Sequence, residues 1–334
     1  MKVLVTGGAG YIGSTTAKAL EMAGHTPVIL DSLLTGPRAF VRDRIFYEGD
    51  VADRALVRRV FAEHPDLDCT IHMAARIVVP ESVAEPQVYY RDNVAKSLEL
   101  FDELVRLGRT RVVFSSSASV YAAAEDFEVT ETSPLAPASP YARTKHMMEQ
   151  ILEDMSRASG LRALILRYFN PIGADPELQS GVHVREPSHV LGQMVMAATG
   201  QRDAFMVTGT DYPTVDGTGI RDYVHVWDLA RAHVAAVEKL DDALARTGST
   251  SSVLNVGTGR GVTVRQLLAI FEQVFGRRVP TVDAPPRPGD VPGAFANVDK
   301  AKEVLGWRSE LSVAEAVASA LAWAGKRAEV LGYS

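Results

Sequence analysis

Cysteine is almost missing from this chain: Cys69 is the single one in 334 residues. One thiol closes no intrachain disulfide, so the fold must rest on its core, and a reducing compartment fits. Beside the apolar run 70–75, Cys69 reads as a buried structural thiol. Long apolar runs are also lacking, none approaching the roughly 18 to 20 residues that cross a bilayer. Excess basic charge is absent too, with a net charge of -6. That excludes a general attraction to nucleic acid or anionic membrane and leaves any arginines that matter few and local. Low-complexity tracts and long-period repeats are not visible, and no metal site is expected. Met1 leads into a core-like strand within two residues, which leaves no room for a signal peptide and points to the cytosol.

What is present is ordinary globular composition, 46% hydrophobic and 23% charged, in a chain long enough for a large α/β unit and a smaller lobe. Strand-like and helical patterns alternate over 2–6, 12–23, 26–31, 44–48, 53–63, 69–74, 92–107, 111–116, 141–158 and 162–168. Such alternation predicts a Rossmann-type doubly wound parallel sheet with helices on both faces. Val94, Leu98, Phe101 and Val105 mark the expected buried stripe of one helix. Beyond Asn170-Pro171 the pattern breaks into glycine and proline punctuation, so the lobes are expected to divide as 1–171 and 172–334, with about 222–240 returning to the first. Helical patterns resume near 189–199, 227–240, 263–275 and 312–324, and Pro280 to Pro292 reads as a loop. Ligands of open parallel sheets sit at the carboxyl ends of the strands, which places the site between the lobes.

Two motifs carry chemistry. Strand 2–6 runs into Gly7, Gly10 and Gly13, spaced Gly-x-x-Gly-x-x-Gly, which permits a tight turn and lets a pyrophosphate reach free amides at a helix N-terminus. Asp31 ends the next strand, where a carboxylate can accept from both adenosine-ribose hydroxyls and repel a 2′-phosphate, favouring NAD over NADP. Asp50 can meet the adenine amino group or simply close a turn. The second motif is Tyr141-x-x-x-Lys145 at a helix start. A tyrosine of pKa about 10 is phenolate in only about one molecule per thousand at pH 7. An ammonium one turn on, with a positive nicotinamide ring, can lower that pKa by about three units, roughly 4 kcal/mol. Ser115, Ser116 and Ser117 end the strand before it, and a hydroxyl there can bridge the phenol to a substrate hydroxyl.

With these motifs on 72–75, 114–121, 167–171, 211–223 and 287–290, nearly the whole chain resembles the extended short-chain dehydrogenase/reductase superfamily and, within it, the UDP-galactose 4-epimerases. The resemblance implies Ser117 as catalytic serine, Tyr141 as base and Lys145 on the nicotinamide ribose. It further implies Met73, Ala74, Arg76, Asn93, Ser115, Tyr168 and Pro171 around the cofactor, and Asn170, Arg221, Tyr223, Arg287 and Asp290 around UDP. Neighbours of these motifs, namely Tyr11, Ile12, Ser32, Val51 and Ala75, are expected on the cofactor side, and Val190 and Thr208 on the substrate side. Two arginines from separate loops can bind a diphosphate bidentately, and Asp290 can accept from a ribose hydroxyl.

The reaction implied is epimerisation at C4 of a UDP-hexose through a 4-keto sugar, with NAD retained. Related dehydratases need a carboxylate pair directly after the residue matching Ser117, whereas this chain has Ala118 and Ser119. Ala294 leaves room for an N-acetyl group, and His189 stands where relatives have asparagine. Arg185 lies where UDP-glucuronate epimerases hold the sugar carboxylate, which keeps that substrate open, and a non-catalytic dinucleotide sensor is the rival of another class. A homodimer through helices 92–107 and 141–158 is implied by the resemblance.

Overall fold

Val3, Leu4 and Val5 are all fully buried, and that is why the first strand reads as a continuous apolar run: both of its faces are covered. Val3 and Val5 belong to one core with Ile29, Ile71 and Leu164, while Leu4 belongs to another with Val28, Leu30 and Ile165. The alternation of side chains along each strand divides one sheet between two helix layers. The computed structural model describes residues 1–286 and 291–332.

The large sheet has seven strands in the order Ser251–Val256, Arg162–Tyr168, Arg111–Ser115, Leu67–His72, Lys2–Thr6, Thr26–Asp31 and Ile45–Glu48. All its pairings are parallel. Helices Tyr11–Met22, Val226–Glu238 and Leu240–Thr247 supply buried residues to one core, and helices Arg54–Glu63, Lys96–Arg106 and Pro140–Ser159 to the other. The strand order reverses between Lys2–Thr6 and Leu67–His72, and a crevice at such a switch point is where open α/β sheets take ligands.

A third core joins helices Val190–Ala198, Val264–Phe275 and Val313–Leu331 to strand Phe205–Thr208. A smaller sheet orders Val262–Thr263, Ile220–Arg221, Gly293–Ala296 and Glu128–Val129, and Asn170–Ile172 pairs in parallel with Tyr223–His225. The Val264–Phe275 and Val313–Leu331 helices each begin with a capping box, Thr263 with Gln266 and Ser312 with Glu315, a local signal that fixes their starts.

Several elements differ from the sequence pattern. Strand Ser251–Val256 carries no motif and falls in the expected second lobe, yet it extends the large sheet beside Arg162–Tyr168. The expected loop from Pro280 contains strand Thr281–Ala284, paired with Phe205–Thr208. Helix 92–107 begins as a wide turn over Tyr90–Ala95 before Lys96–Arg106, and the extra residue per turn rotates its buried stripe. Leu100, Phe101 and Leu104 are fully buried while Leu98 is 40% exposed.

Candidate functional site

The glycine turn is built by backbone contact. Gly7 has φ +73° and lies so close to the end of the Leu67–His72 strand that a Cβ would fall 2.7 Å from the Ala74 nitrogen. A Cβ on Gly13 would meet the Gly7 carbonyl oxygen at 2.2 Å. Gly10 is the N-cap of helix Tyr11–Met22 and contributes no side-chain cap, so the first-turn amides are left for a ligand. Tyr11 donates its hydroxyl to the Gly173 carbonyl at 2.6 Å and ties this helix start to the following half of the chain, while Ile12 packs on the core.

Asp31 accepts from the amides of Ala9 at 2.9 Å and Leu33 at 2.8 Å, which hold its carboxylate at the strand end with lone pairs to spare. Burial raises its pKa and those amides oppose the rise. Ser32 beside it is exposed. Asp50 is engaged elsewhere: one oxygen accepts from the Ala52 amide at 2.9 Å and the other pairs with Lys96 at 2.6 Å, next to buried Val51. Asn93, on the wide turn, spends its amide on Arg76, accepting from the backbone nitrogen at 2.8 Å and donating to the carbonyl at 2.9 Å. It shapes the 73–76 loop from behind. The Arg76 guanidinium is drawn back to Asp92 at 2.6 Å and Glu81 at 3.0 Å. Met73, Ala74 and Ala75 remain as the half-buried wall at the strand end.

Helix Pro140–Ser159 starts at the Ser139 cap and places Tyr141 and Lys145 one turn apart, 7% and 3% exposed by residue, at the ends of the central strands. The Lys145 ammonium donates to the Ser115 carbonyl at 2.7 Å, so it is aimed at the strand end and not at the phenol. Burial raises the Tyr141 pKa, and a hydrogen bond from Ser117 pulls the other way. In the protein alone desolvation of the phenolate outweighs that hydrogen bond, and the expected lowering draws on the nicotinamide charge as well as on the lysine. Burial also pulls Lys145 down to about 8, with Glu149 holding it up. Ser117 caps the short turn Ala118–Val120 and accepts from the Ser119 amide at 3.2 Å. Tyr168 lies close enough for Tyr141 to raise its pKa further above the ordinary value, which burial has already raised.

Among the substrate-side residues, strand register puts Arg221 against Ala294 and Asn170 against Tyr223. Arg221 is anchored by the carbonyls of Ile220 at 2.8 Å, Pro292 at 2.7 Å and Val291 at 3.2 Å, which among the described residues leaves Nε and one further N–H. Asn170 is exposed and Pro171 half-buried in the same short strand. Tyr223 is 2% exposed and packs in the third core, while Arg221, two positions before it, stays half-buried. His189 caps helix Val190–Ala198 by accepting from Gly192 at 3.2 Å, and Val190 turns into the core. Thr208 ends its strand half-buried, and Arg185 is exposed. Arg287 and Asp290 lie outside the described residues.

Three features were not expected at the site, although Asp222 lies within the 211–223 motif. Asp222 is fully buried and accepts from Thr258, Gly259 and Ala296, clamping the strand that bears Arg221. Gly293, at φ +122°, leaves space that a Cβ would fill 2.1 Å from the Arg221 guanidinium. His233 accepts from the Ser115 hydroxyl at 2.9 Å, because its other nitrogen must donate to the Leu229 carbonyl. Only the pairing of distant segments brings them to the site.

Residues 3–257 match the NAD dependent epimerase/dehydratase family. The chain belongs to that family. A UDP-glucose 4-epimerase of Azospirillum brasilense is 44% identical over 324 residues, 96% of this chain and 91% of that protein. The structure of a UDP-glucose 4-epimerase from Stenotrophomonas maltophila, with bound NAD and formylated UDP-arabinopyranose, is 37% identical with a TM-score of 0.92, covering 98% of this chain and 99% of that one. One from Bifidobacterium longum, in complex with NAD+ and UDP, is 36% identical with a TM-score of 0.90 and covers 98% of each chain. The family's cofactor fits the residues present: an uncapped helix start, a turn with no room for Cβ atoms, and a carboxylate fixed at the end of the second strand.

The site also carries an acid liability. His72 sits between Thr6 and Ser97, and burial drives its pKa to about 3, with Lys145 adding to the fall. Burial drives His233 to about 4. Both folded values lie below the ordinary 6.5, so their neutral forms contribute stability that is complete above pH 6.5 and is lost as pH falls toward 4 and then 3. Each such histidine removes up to about 1.4 kcal/mol per pH unit in that window. Denaturant melts at pH 7 and pH 5 check this: His233→Gln should lose less stability between the two than the wild type, and an equal loss would refute the assignment.

Proposed function

We propose that the protein is a UDP-hexose 4-epimerase that interconverts UDP-glucose and UDP-galactose with NAD held throughout the cycle. The observation that carries this reading is the buried Tyr141–Lys145 face beside Ser117, at the same strand ends as the glycine turn. When bound, NAD supplies the hydride acceptor for the sugar C4 and a positive ring charge that favours the phenolate. The protein's own part is proton transfer and grip. Tyr141 Oη takes the 4′-hydroxyl proton with the Ser117 hydroxyl positioned alongside it, and returns that proton when the 4-keto sugar is reduced on its other face. Lys145 would supply positive charge at the strand end and hold the cofactor ribose. The free N–H groups of Arg221, with Arg287, hold the diphosphate and leave the hexose able to turn over.

Elimination is disfavoured because Ala118 and Ser119, and no carboxylates, follow Ser117. The relatives named above are UDP-glucose 4-epimerases, so neither UDP-glucuronate nor a catalytically silent sensor is favoured. A two-lobe division near 171, with about 222–240 returned to the first lobe and strand Ser251–Val256 added to it, belongs to this reading. So does a cytoplasmic homodimer. Cys69 as a lone buried thiol supports the compartment, and Leu98 and Met147, 40% and 39% exposed on the two expected helices, support the interface.

The test is direct. Protein purified without added cofactor is incubated with UDP-glucose, UDP-N-acetylglucosamine and UDP-glucuronate, and products are separated by chromatography. UDP-galactose should form with no NAD supplied. Absence of turnover of UDP-glucose and UDP-galactose, even with NAD added, would end the proposal.

A further inference from the structure

The face that carries Tyr141 and Lys145 continues one more turn to Glu149, which is 5% exposed. Its carboxylate is the centre of a buried network. Arg167, on the strand Arg162–Tyr168, donates Nε to Oε1 at 2.9 Å and Nη2 to Oε2 at 2.6 Å. The Ser116 hydroxyl donates to the same Oε1. Arg167 is held in turn against the Tyr121 ring, 4.9 Å from its centroid, and Tyr121 donates to Asn255 at 2.6 Å. Ser116 lies between Ser115, whose carbonyl holds the Lys145 ammonium, and Ser117, whose hydroxyl is near enough to Tyr141 to lower its pKa.

Successive side chains at a strand end point to opposite sides, and Ser115 and Ser116 show it. Ser115 Oγ reaches His233, while Ser116 Oγ reaches Glu149 across the sheet's other face. With the Ser116 amide also bonded to the Leu166 carbonyl at 2.9 Å, this segment is pinned from the strand side and the helix side at once. A buried ion pair is weak ground for stability, since apolar residues of similar volume often do as well or better. Its worth here lies in orientation.

Resting on the epimerase reading above, we propose that Glu149 and Arg167 are positioning residues for proton transfer: through Ser116 they set the distance between the Ser115–Ser117 segment and helix Pro140–Ser159. That distance decides whether Ser117 meets the phenol and whether the Ser115 carbonyl receives the ammonium. None of the three side chains touches the substrate or cofactor in this scheme. They act through Ser115 and Ser117.

The experiment uses the full chain with its own retained NAD. Ser116→Ala removes one hydroxyl from the network and leaves the ion pair in place. It should lower kcat for UDP-glucose roughly 10- to 100-fold, the scale on which a small misplacement of reacting groups acts. The KM for UDP-glucose and the NAD content should stay within about twofold of wild type, since the glycine turn, Asp31 and Arg221, which supply most of the grip, are not touched. Ser116→Thr, which keeps a hydroxyl on Cβ, should recover most of the loss. A second variant, Glu149→Met with Arg167→Met and Ser116→Ala, replaces the network with apolar volume and should melt near the wild-type temperature while keeping the kcat defect. Wild-type kcat in Ser116→Ala overturns the inference alone, and so does a defect confined to KM or to thermal stability. A wild-type protein inert toward UDP-glucose overturns the epimerase reading instead, so the two failures are distinguishable.

Discussion

Tyr141→Phe should epimerise UDP-glucose roughly 10²- to 10⁴-fold more slowly than the wild type, the range that a positioned acid–base group contributes. The change deletes one oxygen from a side chain that is 7% exposed, so packing against the helix start is kept and stability should hold. With no Oη, nothing accepts the 4′-hydroxyl proton. Ser117 cannot replace it, because a serine hydroxyl is a far weaker base than a phenolate. NAD content and the KM for UDP-glucose should stay close to wild type, since the phenol grips neither pyrophosphate nor UDP. Steady-state kinetics and absorbance of the reduced nicotinamide on mixing with UDP-glucose measure both parts. Wild-type kcat in this variant would remove Tyr141 from the mechanism. A variant that loses its NAD would instead make the tyrosine a binding residue.

The second large effect lies at the glycine turn. Gly13→Ala should yield protein without bound NAD and lower in stability by about 1–3 kcal/mol, as overpacking of a rigid site does. Its Cβ would lie 2.2 Å from the Gly7 carbonyl oxygen and 2.8 Å from the Gly8 Cα, all backbone, and backbone cannot swing aside as a side-chain tip can. To admit the methyl group, the helix start must move off the turn and the first-turn amides lose their aim. Gly24→Ala is the control. Unlike Gly13 it has a positive φ, +79°, but nothing lies within 4 Å of its Cβ, so the change should cost about 1 kcal/mol of backbone strain and retain NAD. Cofactor content of the purified proteins and their urea midpoints decide the matter: NAD retained at wild-type level in Gly13→Ala would show that the turn can open without losing its ligand.

Much of the first half of the fold is legible because its signals are local. Apolar runs bounded by glycine mark strands such as Lys2–Thr6 and Thr26–Asp31, and those bounds coincide with the sequence pattern. The helix Pro140–Ser159 announces itself by a serine cap, a proline in its first turn and Gly160 beyond its end. Strand Ser251–Val256 was not legible as part of the large sheet, since nothing in six residues says which of several edges it will join. The same limit applies to Asp50 and Arg76. Each stands in a motif, and each is drawn to a charged neighbour, Lys96 or Asp92, that only the packing of the Tyr90–Arg106 segment brings near.

By itself the sequence determined the strand–helix alternation, the glycine turn, the carboxylate ending the second strand and the tyrosine–lysine helix face, because each depends on neighbours a few residues apart. Tertiary structure alone decided what surrounds them: the core position of Tyr223, the anchoring of Arg221 by carbonyls near 292, and the Ser116–Glu149–Arg167 network. Burial and hydrogen bonding between residues tens to hundreds apart depend on how the layers close, and no periodicity or spacing along the chain encodes which distant polar groups will meet once water has been excluded.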